Sequence, residues 1–102
     1  MNRAAWKQNE RVWAEMLGGE RVPVSGRQRG DVPDIKHPTL SIEVKAGAIL
    51  SPRVLDGMDQ AVKAAKPGQT PIVAVSNRRK GGQNTSGKYV IMRAEDFVEL
   101  VK

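Results

Sequence analysis

The chain has 102 residues, 39% of them hydrophobic, with a formal net charge of +6, one histidine and no cysteine. Those figures leave room for one small domain with a thin core. They exclude disulfides, thiolate metal sites and cysteine nucleophiles, and a lone His37 rules out a His-rich metal site or a histidine triad. The positive balance suits a polyanionic partner, although generic basicity gives the same figure. No apolar run approaches membrane-spanning length, and the N-terminus carries no signal-peptide apolar region, so a soluble, cytoplasmic protein without a membrane partner is expected.

Residues 3 to 17 predict a helix, because Trp6, Glu10, Trp13 and Leu17 fall on one stripe and Gly18-Gly19 ends it. Glu10 is the odd member, a carboxylate between two tryptophans on the face turned to the core. Burying it requires a partner. Two readings follow: an ion pair with an Arg or Lys, or a third acidic group reaching a metal site. Glu20 to Val24 predicts a short strand. The loop Ser25-Gly26-Arg27-Gln28-Arg29-Gly30 then places two guanidinium forks beside flexible glycines, suited to phosphate or simply solvated.

Asp34 opens the next segment after Pro33, and it is preferred over Asp31 as a ligand because it stands at the start of a strand rather than in the loop. Lys36-His37-Pro38 predicts a turn. From Thr39 to Lys45 the chain alternates, with Leu40, Ile42 and Val44 on one side and Thr39, Ser41, Glu43 and Lys45 on the other. Glu43 and Lys45 therefore share a face, about 6–7 Å apart. A hairpin pairing of these two segments sets Asp34 alongside Glu43. Paired carboxylates suit a hard divalent cation such as Mg²⁺, which polarises a phosphoryl oxygen and acidifies a bound water, and a lysine beside them can hold that water or offset transition-state charge. The plainer alternative is an ordinary strand with an exposed Glu–Lys pair.

Ser51-Pro52 predicts an N-cap and first helical position, with a helix to about Lys66 stopped by Pro67-Gly68. Its buried face would be Val54, Met58, Ala61, Val62 and Ala65, leaving Gln60 off that face. Pro71 to Ser76 reads as a buried strand, and strand–helix–strand order predicts a right-handed crossover with parallel pairing. Residues 77 to 88 are polar and cationic; Arg78, Arg79, Lys80 and Lys88 could follow a nucleic-acid backbone, or line a loop without a ligand. Tyr89 to Arg93 predicts the last strand, and Ala94 to Val101 a short helix with Phe97, Leu100 and Val101 inside. The expected fold is α/β, a small mixed sheet of about five strands flanked by helices, in a single domain over 1–102.

Pro33-Asp34, eight residues, then Glu43-Val44-Lys45 resembles the PD-(D/E)xK nuclease signature. The resemblance implies a restriction-endonuclease-like core, Asp34 and Glu43 as metal ligands with the Val44 carbonyl, and Lys45 as the catalytic lysine. Small size, a glutamate on the first helix (Glu10) and the Ser25-Gly26-Arg27 loop are similar to Holliday-junction resolvases of the phage or archaeal type, which implies a phage-encoded protein in a bacterial host. Gln60-Ala61 matches a Gln-Ala pair that the family carries after its lysine, an accessory role. What the resemblance implies is an Mg²⁺-dependent endonuclease, with Mn²⁺ as a substitute, acting on four-way DNA junctions. A homodimer with two matched sites and no small-molecule cofactor would complete it. Another nuclease of this fold, or a non-catalytic basic DNA-binding protein, stands as the alternative.

Overall fold

The computed structural model describes residues 3–23, 32–77 and 87–102. By the contacts among its residues the chain divides into two compact units, Met1–Ile49 and Leu50–Lys102.

The first unit opens with helix α1, Arg3–Leu17. Its predicted stripe faces inward, with Glu10 buried and Trp6, Trp13 and Leu17 half-buried; Ala14, outside that stripe, is buried as well. Gly18 ends the helix in the left-handed region, φ 74, and the Gly19 N–H donates back to the Ala14 carbonyl at 2.8 Å. Gly19 then allows a close crossing. A Cβ there would lie 2.6 Å from both Ile35 Cγ2 and the Lys36 carbonyl oxygen, so any side chain would collide with backbone. Strand β1, Glu20–Arg21, follows at once and packs on α1. It pairs antiparallel with β2, Ile35–Lys36, setting Glu20 opposite Lys36 and Arg21 opposite Ile35. Ile35 is 0% exposed and anchors this unit.

The second unit begins with α2, Pro52–Ala64. Ser51 caps it, its Oγ accepting from the Val54 N–H at 3.3 Å, with Pro52 in the first turn where a missing N–H costs nothing. Strands β3, Val73–Asn77, and β4, Gly87–Ile91, form an antiparallel pair with Val73 opposite Ile91 and Asn77 opposite Gly87. Helix α2 packs on β3. Helix α3, Ala94–Leu100, closes the chain, and Arg93 before it donates from Nε to Asp96 at 2.9 Å.

The three helices and the α/β class agree with the sequence pattern, but the sheet does not. The described strands form two separate two-stranded antiparallel sheets, not one mixed sheet of five. Prolines explain the short ladders of the first unit. Pro23 lacks an N–H just past β1, while Pro33 and Pro38 bracket β2. Among the described residues, 39 to 45 form no ladder but one isolated antiparallel bridge, Ile35 to Ile42. The parallel pairing expected of β3 through a crossover over α2 is not seen either: among the described strands the partner of β3 is β4, antiparallel.

Burial is shallower than the apolar runs suggest. No residue of α2 is buried; Val54, Met58 and Ala61 are half-buried and Val62 is exposed. Ile72 and Ala74 are exposed while Val73 and Val75 are half-buried, the alternation of a sheet covered on one face rather than two. Leu100 and Val101 are exposed, contrary to their expected inward placement. Among the described residues no helix is long and apolar enough to cross a membrane.

Candidate metal centre

Asp34 lies between two extended segments and is fastened to both. On one side its carbonyl accepts from the Val22 N–H at 3.0 Å, just past β1. On the other its own N–H donates to the Ile42 carbonyl at 3.0 Å. The side chain continues in the same direction, and Oδ2 accepts from the Val44 N–H at 2.7 Å, short because the acceptor is a carboxylate. Backbone and side chain of Asp34 thus bracket Glu43 from its two neighbours. The elements that achieve this are local. Buried Ile35 pins the chain beside Asp34, and its bridge to Ile42 fixes which part of the 39–45 segment arrives there.

That segment keeps the alternation of its sequence without a regular ladder. Leu40, Ile42 and Val44 are half-buried, whereas Thr39, Ser41, Glu43 and Lys45 are exposed. The turn leading into it is tied by His37, whose Nδ1 accepts from the N–H groups of Thr39 and Leu40, each at 3.1 Å. His37 therefore serves the turn that its place before Pro38 implied, with Nδ1 as the acceptor nitrogen.

Asp34, Glu43, the Val44 peptide and Lys45 are the predicted site residues that the structure brings to one stretch. Glu10 has a charged partner. It is 0% exposed, and its Oε1 accepts from Arg21 Nε at 2.7 Å. The Arg21 guanidinium sits 5.6 Å from the centroid of the Trp6 ring, within cation–π range. Of the two readings of Glu10, this is the ion pair. Arg21 itself carried no signal beyond being a basic residue on the strand that follows a helix with an inward glutamate.

Among the described residues no group of three or more His, Cys, Asp and Glu side chains is arranged to hold a metal. The candidate donors here are two carboxylates and a backbone carbonyl, hard oxygens that suit Mg²⁺, which keeps several of its own waters. Lys88 on β4 and Gln60 on α2 are both exposed and belong to the second unit. Ser25, Arg27, Arg29, Asp31, Arg78, Arg79 and Lys80 lie outside the described residues. No protein-family model, curated protein or solved structure matches the chain.

Proposed function

We propose that the chain is a metal-dependent endonuclease that resolves four-way DNA junctions by paired phosphodiester hydrolysis. One observation carries the reading: the 2.7 Å hydrogen bond from the Val44 N–H to Asp34 Oδ2, which ties the first acid of the nuclease-like signature to the residue between its second acid and its lysine. Asp34, Glu43 and the Val44 carbonyl would hold Mg²⁺, with Mn²⁺ as a substitute. When bound, such a cation polarises a phosphoryl oxygen and lowers the pKa of a coordinated water.

The chain's own residues supply the rest. Asp34 is held by backbone hydrogen bonds with Val22 and Ile42 and at Oδ2 by the Val44 N–H, so its carboxylate needs little reorganisation to act as a ligand. Lys45 belongs to the same exposed set as Glu43, and its ammonium orients the attacking water and offsets charge growing on the phosphoryl oxygens. The net charge of +6, concentrated in Arg27, Arg29, Arg78, Arg79, Lys80 and Lys88, draws the backbone phosphates. A four-way junction has two-fold symmetry and needs two nicks, which a C₂ homodimer would supply.

The same Asp34 hydrogen bond also serves a purely structural clamp, which favours a second reading as a non-catalytic DNA-binding protein. Incubation with a synthetic four-way junction and a linear duplex, with and without Mg²⁺, separates the two. The expected result is symmetrical nicking of the junction only with Mg²⁺. Equal cutting of the duplex would leave a general nuclease, and binding without any nicking would leave the non-catalytic reading.

A further inference from the structure

We infer that Arg21 is a positioning residue for Asp34, acting through the buried Glu10–Arg21 pair rather than touching substrate or metal; the catalytic meaning of that position rests on the nuclease reading above. Three links run from helix α1 to the site, all within Met1–Ile49. Glu10, 0% exposed on α1, accepts from Arg21 Nε at 2.7 Å. Arg21 stands opposite Ile35 in the β1–β2 register. The next residue, Val22, donates its N–H to the Asp34 carbonyl at 3.0 Å. A shift of Arg21 along α1 therefore moves the residue that holds the Asp34 peptide.

The arrangement is costly in a way that points to a positional role. Taking both charges out of water carries a desolvation penalty that apolar side chains would avoid. The Arg21 side chain is only 16% exposed, and its buried Nη2 has no hydrogen-bond partner among the described residues. The guanidinium is instead confined by the Glu10 carboxylate at Nε and by the Trp6 ring at 5.6 Å, a directional fit that a flexible ammonium would not reproduce. A buried charge pair of this kind fixes register between α1 and β1, as a nondirectional apolar contact does not.

Two readouts in the full chain test this: hydrogen-exchange protection of the Val44 amide, which reports the bond to Asp34, and Mn²⁺ affinity. Ala14→Gly on α1 is the control matched for loss of stability. Arg21→Met should lower both readouts about tenfold beyond that control, the size expected when a hydrogen bond to a charged group is disturbed. Glu10→Met/Arg21→Met, which leaves no unpaired buried charge, should regain stability while both readouts stay lowered. Where Arg21→Met does not fold, Arg21→Lys keeps the charge and loses the planar fork, and should show the same pattern with a smaller change. Val44 protection that merely follows the control overturns the proposal. So does a double variant that restores both readouts, because an apolar contact would then position Asp34 equally well. If Arg21→Met and the double variant both lower Val44 protection beyond the control, while no variant and not even the unaltered chain binds Mn²⁺, the positioning role stands and the nuclease reading falls.

Discussion

Lys45→Ala should lower Mg²⁺-dependent nicking of a four-way junction by about 10²–10³-fold, the usual cost of losing one group that stabilises transition-state charge. Junction binding, measured without divalent cation, should stay within about threefold, since one phosphate-range cation among 17 Lys and Arg residues contributes little to overall affinity. The Asp34 variants sharpen the same test. Asp34→Ala removes both the proposed ligand and the acceptor for the Val44 N–H, so nicking is lost and the 39–45 segment loosens. Asp34→Asn retains an amide oxygen that can accept from Val44 but lacks the negative charge. It should preserve Val44 protection and lose nicking, which a purely structural Asp34 would not do. A Lys45→Ala protein that nicks at the normal rate would remove the lysine from the mechanism.

Ile35→Ala carries the largest expected effect on stability. Ile35 is 0% exposed, stands opposite Arg21, bridges Ile42 and places its Cγ2 against the Gly19 crossing. Truncating it removes apolar contact from three segments at once and leaves a cavity that the short, proline-bracketed strands cannot close. The expected loss is about 2–5 kcal/mol. Against a total of about 5–15 kcal/mol for an ordinary domain, that is enough to shift the urea midpoint far down. Because the bridge to Ile42 fixes the arrival of Glu43, Ile35→Ala should also weaken nicking in proportion to the unfolded fraction and beyond it. A midpoint change equivalent to less than about 1 kcal/mol would mean that this unit does not depend on Ile35.

Helices were readable from sequence because their signals are local. The Trp6–Glu10–Trp13–Leu17 stripe, the Gly18 stop and the Ser51-Pro52 cap each depend on a few neighbouring residues, and α1 and α2 form where these signals lie. The alternation of residues 39 to 45 was equally visible and reappears as alternating burial. What the pattern could not give was pairing. An alternating segment predicts two faces but not how many ladder bonds it makes, and here it makes a single bridge. Pro23, Pro33 and Pro38 were signals that the ladders would be short, and they outweigh the β-branched content around them. The Ile72–Val75 run likewise predicted burial on both faces, whereas β3 has a helix on one face of a two-stranded sheet. At the site, Asp34 and Glu43 stand out by residue type and spacing, but the partner of Glu10 does not. Arg21 is eleven residues away, and only the packing of β1 on α1 brings it there.

The decisive measurement is paramagnetic broadening of backbone amide signals as Mn²⁺ is titrated into the full chain. Broadening should centre on Asp34 and residues 42 to 45, and it should vanish in Asp34→Asn. Broadening centred elsewhere, or persisting unchanged in that variant, would contradict a divalent-cation site built from Asp34 and Glu43.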